Sequence, residues 1–529
     1  MITPRLASVL AVFAASPLVL TGCETAHSGS AIRGSFVLDG DISEWRESAV
    51  ATADDRFVYL RFAIEGDPTT LQSNSETTRI VIDTDNDPST GYQFVGTPEI
   101  GTLGIDLEVH LSPNVDSLDP DSASWYRERA TERDQPVPTL VGGVAVQRFE
   151  PDGTRRHASH ADIDFALAPT YANPWFEARI GRLSSALIGS GLDAEGTAKA
   201  MVLIEDESRD IVGYSDPVEI ALPSAATGLG LAPDTVPAQQ AGSLRVLSFN
   251  VLRAKPMREP EPFAGLITAL APDVILFQEF NGLDADELAD WLGENVGRLE
   301  GKPIIPAGPD EPMRPWYTVA EPEGGVAIAS VHPITRPFDD PVSLVGPNDE
   351  DRTARAISAL LETPFGDALV TSVHLKCCGS AGSREDEIRM LEAEAVRDAI
   401  NDAAQQASSI TGRWPSIRVV GGDINLVGSR PPVDVLGEGI DADGSALSTA
   451  EARVLGDRAY YTWSDPTSSF SPGRLDWILY SDSSLRVDRS FVLDLGRLTR
   501  ESVERSGLRP SDTAASDHLP LVADLAPLR

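Results

Sequence analysis

The sequence predicts an all-β sandwich domain followed by an α/β (α+β) domain whose strands end in polar residues. Residues 34–222 consist of short apolar or alternating segments between turn residues, without a long stretch of helical period. Residues 223–243 are small, contain proline and are nearly uncharged, which is typical of a linker. Residues 244–529 contain recurring apolar strands with helical stretches between some of them.

Length and composition set the outer limits of this prediction. A chain of 529 residues is too long for one ordinary domain, and its 41% apolar content is sufficient for folded cores. The formal net charge of −38 favours solubility and disfavours tight, non-specific binding to nucleic acid. A local basic groove over an active site remains compatible with this charge.

The first 23 residues, MITPRLASVLAVFAASPLVLTGC, have the layout of a secretory signal. One arginine precedes an apolar run that is too short for a convincing membrane span. The end of this run, LVLTGC, resembles the bacterial lipobox, in which the cysteine becomes the lipidated first residue. The resemblance implies a signal peptide over 1–22 and an exported protein that is anchored through lipid at Cys23. The alternative is an ordinary signal peptide and a secreted protein.

The other two cysteines, Cys377 and Cys378, are neighbours in the chain. A bond between them would close a strained ring, so the sequence contains no disulfide framework. Their pattern favours a packing role in a loop over catalysis.

The N-terminal strands resemble a known type of sandwich. The segments LDGDISEWRE (38–47), DDRFVYLRFAI (54–64) and IVIDTDNDPSTGYQF (80–94) are similar to the carbohydrate-binding module family 9 type. This resemblance implies polysaccharide as a partner, although Trp45 and Trp175 are better explained as core residues than as sugar platforms.

The turn DTDNDPSTG within the third segment suggests a cation site. Its alternating carboxylates, Asp83, Asp85 and Asp87, are hard oxygen ligands of the kind that Ca²⁺ prefers. The alternative is a solvated Asp/Asn turn that needs no metal.

In the C-terminal region, six apolar strands carry polar residues at or near their ends. They are LRVLSFN with Asn250, DVILFQE with Glu279, ALVTSVHL with His374, IRVVGGDIN with Asp423 and Asn425, RLDWILYS with Asp476, and SDHLPLVADL with Asp517 and His518. Strand ends that meet along one rim form the active sites of α/β enzymes. A single such residue has a simpler explanation, such as a strand cap for Asn250, a core histidine for His374 or an Asx turn for Asp423 and Asn425. Six together favour one site.

The residue types in these strands point to phosphoester chemistry. Asn250, Glu279 and Asp517 offer hard oxygen atoms, and no cysteine–histidine set with zinc spacing accompanies them. We therefore expect Mg²⁺, with Mn²⁺ as an alternative ion. Asp476 can orient His518 so that its second ring nitrogen takes a proton from water.

The remaining three residues complete the set. Asp423 and Asn425 can hold the attacking water and a phosphoryl oxygen, and His374 is a second donor to phosphate.

In this order, LRVLSFN, PDVILFQE, VTSVHL, GGDIN, GRLDWIL and SDHLPLVADL resemble the endonuclease/exonuclease/phosphatase superfamily with the DNase I-like fold. The resemblance covers residues 243–529. It implies a four-layer sandwich of two mainly antiparallel sheets with helices outside.

The resemblance also assigns a role to each residue. Asn250 and Glu279 become metal-site residues, and Asp517 supports the metal or the leaving group. Asp476 and His518 form the general-base pair, Asp423 orients the nucleophile, and Asn425 and His374 stabilise the phosphate. Beyond this set, Lys376 is expected to add local positive potential. Arg352 and Arg355 are interpreted as solvated surface residues, and the alternative is contact with substrate phosphates.

The sequence does not identify the substrate. The superfamily includes nucleases, sphingomyelinases, inositol-phosphate phosphatases and deadenylases. Asn281 stands where many abasic-site endonucleases have lysine. The leading hypothesis is an extracellular nuclease, and the alternative is a sphingomyelinase-like or small-phosphodiester hydrolase. A hypothesis of another class is a glycan-binding surface protein with a degenerate enzyme domain.

Overall fold

A computed structural model describes residues 36–45, 50–64, 66–95, 101–118, 123–124, 127, 139–226, 231–232, 234–303 and 315–528. The predicted signal peptide and Cys23 lie outside these residues. The chain divides into two units. The N-terminal unit comprises the residues before Leu231, apart from Thr170–Ala172, together with Pro466–Ser471, and the C-terminal unit comprises the rest. Within the described residues, no helix is long and apolar enough to cross a membrane.

The N-terminal unit is built from strands. They are β1 (Ala51–Ala53), β2 (Phe57–Ala63), β3 (Thr77–Asp83), β4 (Tyr92–Val95), β5 (Thr102–Ile105), β6 (Leu107–Leu111), β7 (Val144–Phe149), β8 (Arg155–Ala158), β9 (Ala166–Ala168), β10 (Trp175–Gly181), β11 (Gly196–Glu205), β12 (Ile211–Tyr214) and β13 (Val218–Leu222). One sheet has the order β1-β2-β10-β9, and a larger sheet has the order β12-β11-β3-β6-β7-β8 with β13 beside β11. A short ribbon pairs β4 with β5.

The core of this unit lies between its two larger sheets. Leu60 and Phe62 of β2 and Phe176 of β10 belong to the same buried cluster as Ile80 and Val109 of the larger sheet. Alternate residues of a strand face the same side, so each sheet contributes one apolar face. The all-β prediction for this region is confirmed, whereas its carbohydrate-binding type stays a prediction.

The C-terminal unit contains helices as well as strands. The strands are β14 (Leu244–Asn250), β15 (Val274–Gln278), β16 (Tyr317–Glu321), β17 (Val326–Ser330), β18 (Ile334–Phe338), β19 (Val342–Val345), β20 (Asp351–Thr363), β21 (Gly366–His374), β22 (Ile417–Asp423), β23 (Ser448–Thr449), β24 (Asp476–Tyr480), β25 (Leu485–Val492) and β26 (Leu521–Pro527). The helices are α1 (Pro260–Leu270), α2 (Ala285–Asn295), α3 (Arg384–Thr411), α4 (Pro431–Gly437) and α5 (Arg500–Arg505).

These elements form the predicted four layers. One sheet has the order β16-β17-β15-β14-β26-β25, and the other has the order β18-β20-β21-β22-β24-β23 with β19 beside β20. Phe249 and Phe277 pack with Phe263 of α1 outside the first sheet. Val373 and Val420 pack with α3 outside the second. The predicted fold class is confirmed.

Two neighbouring glycines of β22 allow close packing, one against the other sheet and one against the adjacent strand of the same sheet. A Cβ on Gly421 would lie 2.8 Å from Cδ1 of Leu276, which belongs to the other sheet. A Cβ on Gly422, whose φ is +151°, would lie 1.9 Å from the carbonyl oxygen of Val373 on the neighbouring strand. Only glycine leaves room for these close approaches.

Each sheet contains one parallel pair of strands, and both pairs end at polar residues. β14 runs parallel to β15, and β21 runs parallel to β22. The carboxyl ends of parallel strands meet at one edge of a sheet. The ends of these two pairs therefore deliver Asn250, Glu279, His374 and Asp423 together.

Residues 231–232 and 234–243, from the second half of the predicted linker, pack on the C-terminal unit. Ala232 forms backbone hydrogen bonds with Arg497 and Thr499. Gln239 donates through Nε2 to Oδ2 of Asp273 at 2.5 Å. The linker prediction is based on small, uncharged side chains. Such residues can still pack on a folded unit, because the backbone hydrogen bonds of Ala232 need no particular side chain.

Candidate active site

The site lies where β21 and β22 end and the antiparallel strand β24 begins. His374 pairs with Asp423 in the parallel register of β21 and β22, and Asp423 pairs with Asp476 in the antiparallel register of β22 and β24. Residues opposite each other on neighbouring strands point to the same face. The sheet therefore places three ionisable side chains in a row, all of them buried.

His518 completes this row from the segment before β26. Its Nδ1 lies 2.8 Å from Oδ2 of Asp476, and its Nε2 lies 3.6 Å from Oδ2 of Asp423. Ser516 helps to place the histidine, because its hydroxyl accepts from the His518 amide at 3.2 Å and donates to the Asn250 carbonyl at 2.8 Å. The carboxylate of Asp476 thus orients the imidazole, and the second ring nitrogen faces the cluster.

Asn250 connects this row to Glu279. Its Nδ2 donates to Oδ2 of Asp423 at 3.1 Å and approaches Oε1 of Glu279 at 3.4 Å. Its Oδ1 accepts from the backbone amide of Leu252 at 3.1 Å. Asn250 therefore contacts the two carboxylates as a donor, and its oxygen is turned away from them.

Asn425 and Glu279 both have left-handed backbone conformations, with φ angles of 52° and 59°. Such conformations are uncommon outside glycine and are concentrated at functional sites. The Asn425 amide donates to Oδ1 of Asp423 at 2.9 Å, and its Nδ2 donates to the carbonyl of Leu375 at 3.1 Å.

Arg355, on β20, fixes the state of His374. Its Nη1 lies 2.9 Å from Nδ1 of His374, and its Nη2 donates to the carbonyl of Leu375 at 2.8 Å. A guanidinium can only donate, so Nδ1 of His374 accepts and the ring proton sits on Nε2. That nitrogen lies 3.5 Å from Oδ2 of Asp423. The interpretation of Arg355 as a solvated surface residue is wrong, because it contacts the site.

Burial and charge shift the pKa values of this cluster in opposite directions. Burial lowers the pKa of His374 well below its usual value, and the charges of Arg355 and His518 add to this effect. Burial also acts to lower the pKa of His518, but Asp476 and Asp423 outweigh it and raise the pKa to about 10. For Asp423, burial raises the pKa to about 7 against the opposing effect of His518. The two carboxylates therefore make His518 the more basic of the two imidazoles.

The donor set of the site fits a hard divalent cation. Asp423, Asp476 and His518 each offer a ligand atom within 4.8 Å of the others, and Glu279 adds a carboxylate that Arg253 contacts through its amide at 2.9 Å. Asp517 Oδ2 accepts from Nε1 of Trp463 at 3.1 Å. Among the described residues, none bonds to the buried Oδ1 of Asp517. A buried carboxylate oxygen without a partner is costly unless an ion or water satisfies it.

The acidic turn of the N-terminal unit differs from its prediction. Asp83 and Asp85 offer ligand atoms within 4.8 Å of a third carboxylate, which belongs to Asp106 and not to Asp87. The Asp87 carboxylate accepts from the amide and hydroxyl of Ser89 at 2.9 and 2.6 Å. This arrangement is an Asx turn, and calcium binding stays a prediction.

Three residues of the site could not be assigned to it from the sequence. Arg355 contacts His374, Trp463 contacts Asp517, and the hydroxyl of Thr462 accepts from the Asp476 amide at 2.8 Å. Trp463 and Thr462 belong to the stretch AYYTWSDP. Its polar and aromatic residues are the sequence feature that could have indicated a place in the site.

Replacing Arg355 with methionine is expected to lower kcat/KM of the reaction at this site by about 10–100-fold, which corresponds to one lost hydrogen bond to a charged group. Loss of the positive charge also raises the pKa of His374, so the acid limb of the pH–rate profile should move to higher pH. Arg352→Met is the matched control, because Arg352 lies on the same strand and is 3.8 Å from Glu392. Equal losses in both variants would contradict the role of Arg355.

The chain is similar to one protein family and to several solved structures. Residues 247–518 match the Endonuclease/Exonuclease/phosphatase family. No curated protein matches the sequence. Among solved structures, beta toxin from Staphylococcus aureus is 18% identical and has a TM-score of 0.32, with 53% of this chain and 99% of that chain covered.

Two further solved structures are equally distant. Sphingomyelinase C from Streptomyces griseocarneus is 18% identical with a TM-score of 0.30, and the match covers 53% of this chain and 99% of that chain. A mannosyl-6-phosphatase from Bacteroides thetaiotaomicron is 17% identical with a TM-score of 0.32, and the match covers 54% of this chain and 100% of that chain. The family match spans just over half of the sequence and includes Asn250, Asp423 and His518. On this basis the chain belongs to the Endonuclease/Exonuclease/phosphatase family.

Proposed function

We propose that the C-terminal unit is a phosphodiesterase that depends on a divalent metal ion. The observation that carries the proposal is the buried Asp476–His518 pair, with 2.8 Å between Oδ2 and Nδ1 and with the second ring nitrogen facing Asp423. A histidine oriented in this way can accept the proton of an attacking water. The family match supports the same class of reaction.

Mg²⁺ is the proposed ion, and Mn²⁺ is an alternative with the same preference for hard ligands. Glu279 and Asp517 would hold it, since one offers a carboxylate at the mouth of the site and the other a buried oxygen without a partner among the described residues. When bound, such an ion supplies positive charge to the phosphoryl group and lowers the pKa of bound water. Asn250 would act indirectly by holding Asp423 and Glu279 in place.

The protein side chains divide the proton chemistry among them. His518 takes the proton from water at Nε2, and Asp476 stabilises the imidazolium through Nδ1. Asp423 accepts a hydrogen bond from the water and aims it. His374, whose proton sits on Nε2, donates to a phosphoryl oxygen, and Asn425 supports the same group.

An extracellular nuclease is the proposed activity, and a sphingomyelinase-like or small-phosphodiester hydrolase is the alternative. Arg253, Lys255 and Arg258 follow Asn250 in the chain, and Arg253 and Arg258 are exposed. The Arg253 amide contacts Glu279, so this basic loop adjoins the proposed metal site. Local positive charge of this kind suits a phosphate backbone despite the net charge of −38.

Export, the lipid anchor at Cys23 and a polysaccharide partner of the N-terminal unit are part of the same proposal. They would place the enzyme at the bacterial cell envelope. Electrophoretic mobility on glycan-containing gels and mass analysis of the mature N-terminus would test these parts separately.

The experiment for the activity mixes purified full chain with plasmid DNA, sphingomyelin or bis-p-nitrophenyl phosphate, with Mg²⁺ or with EDTA. We expect turnover of at least one substrate with Mg²⁺ and its loss in EDTA, because the ion supplies charge stabilisation that the side chains cannot replace. Glu279→Gln should need more Mg²⁺ for half-maximal rate, whereas Glu287→Gln, in helix α2, should behave as the parent. Absence of metal-dependent turnover with all three substrates would refute the proposal.

A further inference from the structure

The loop that follows β21 carries two cysteine side chains in contact with each other. Sγ of Cys378 lies 2.8 Å from Sγ of Cys377. Cys377 is half-buried and Cys378 is exposed, so small reagents can reach the pair. The proposed phosphodiesterase chemistry makes no use of either thiol.

Helix α3 holds the backbone of this loop in place. The buried guanidinium of Arg389 donates through Nε to the carbonyl of Lys376 at 2.9 Å and through Nη2 to the carbonyl of Cys378 at 2.5 Å. Glu392 accepts from the Lys376 amide at 2.6 Å. These bonds hold the backbone that carries both thiols and keeps them next to each other.

The electrostatic surroundings make the two thiols unequal. The hydrogen bond from Cys378 lowers the pKa of Cys377 to about 6, and Lys376 and Arg355 support this effect against burial. Nζ of Lys376 lies 3.8 Å from Sγ of Cys377. The same hydrogen bond raises the pKa of Cys378. One sulfur is thus suited to attack, and the other retains its proton.

We propose that Cys377 and Cys378 form a redox-active dithiol that reacts with small-molecule disulfides and closes to an internal disulfide. The Cys377 thiolate attacks one sulfur of the reagent RSSR and expels RS⁻. Cys378 then loses its proton and attacks the Cys377 sulfur of the mixed disulfide, which expels the second RS⁻. The dithiol gives up two electrons and two protons, and RSSR becomes two RSH.

The product is expected to be easily reduced. Consecutive Cα atoms are about 3.8 Å apart across a trans peptide, which is less than the roughly 4.4–6.8 Å usual for a disulfide. A strained and accessible disulfide has a more oxidising potential than a structural one. The pair is therefore a reversible modification site, which differs from the packing role that the sequence favours.

The test uses the full chain, reduced with dithiothreitol and then freed of it. The protein is incubated with oxidised glutathione and quenched with iodoacetamide, and the peptide that contains both cysteines is examined by mass spectrometry. We expect a peptide that lacks two hydrogens, carries no alkyl group and returns to the dithiol on reduction. A peptide that carries only glutathione or alkyl groups on its cysteines would overturn the proposal.

Single variants test the order of attack. Cys378→Ser should accumulate a glutathione adduct on Cys377, because no second thiol is present to release it. Cys377→Ser should react more slowly than Cys378→Ser at neutral pH, and Lys376→Met should slow the parent reaction. Equal rates for the two serine variants would contradict the assignment of Cys377 as the attacking thiol. The experiment on the parent protein decides the main proposal even if a variant does not fold.

Discussion

Replacing His518 with alanine is expected to lower kcat/KM for phosphodiester hydrolysis by about 10²–10⁴-fold, which is the usual contribution of a general base. The imidazole is the group whose nitrogen faces Asp423, and Asp476 would keep its own position through the bond from its amide to Thr462. Steady-state rates with the substrate identified by the metal experiment provide the measurement. The fold should persist, because His518 lies before β26, where its backbone forms an isolated bridge with Trp463 that does not need the imidazole.

A matched control comes from a second buried histidine of the same unit. His332 is 3% exposed, and its Nε2 lies 3.8 Å from Oδ1 of Asp273. His332→Ala should change stability without a comparable loss of rate. His332 follows the carboxyl end of β17, which lies at the edge of the sheet opposite to the site. If His518→Ala retained more than a tenth of the parental activity, the assignment of His518 as the base would be wrong.

Replacing Arg79 with methionine is expected to destabilise the N-terminal unit by about 3–5 kcal/mol, the usual cost of leaving buried charges without their partner. Arg79 lies on β3 and bonds to Glu108 of β6 at 2.5 Å and to Glu205 of β11. The Glu108 and Glu205 side chains are almost fully buried, so neither carboxylate can recover its hydration. Thermal unfolding of the full chain and hydrogen exchange of β3, β6 and β11 would measure the loss.

The effect of this substitution should depend on pH. Burial acts to raise the pKa of Glu108, but Arg79 and His110 outweigh it and lower the pKa to about 2. A carboxyl group with a lowered pKa stabilises the folded state above its unfolded pKa of about 4.3, and this contribution is lost as pH falls towards 2. The difference between parent and variant should therefore be largest near neutral pH and should shrink below about pH 4.

The matched control for Arg79 is Arg156→Met. Arg156 lies 3.6 Å from Glu150, and both side chains are largely exposed. Removing an exposed ion pair of this type changes stability by about 0–1 kcal/mol. A similar loss of stability in both variants would contradict the large contribution predicted for the buried network around Arg79.

The strand-end residues of the site could be predicted because each lies in a recognisable local pattern. An apolar run that stops at Asn250, Glu279 or Asp423 is visible in the sequence, and parallel pairing then brings such ends together. Arg355 has no such signal. Its role depends on the register that places it opposite His374, and register is a property of the pair of strands.

Helix α3 shows a second limit of sequence reasoning. Ile388, Leu391 and Ala395 recur in the sequence at the spacing of one helix face, but only Ile388 among them is buried. Two charged residues, Arg389 and Glu392, take buried positions because they bond to the loop around Lys376. An apolar pattern cannot reveal a buried charge whose partner is distant in the chain. The same reason explains why Asp106 was missed beside Asp83 and Asp85.

The position of β26 has a consequence for when activity can arise. This strand lies between β14 and β25, and the segment directly before it carries His518. Asn250 and His518 are thus brought together by pairing between strands that are separated by most of the unit. Non-local pairings of this kind form late, because the intervening chain must first be ordered. Turnover should therefore appear only with the final step of refolding, which makes it a sensitive reporter of native structure.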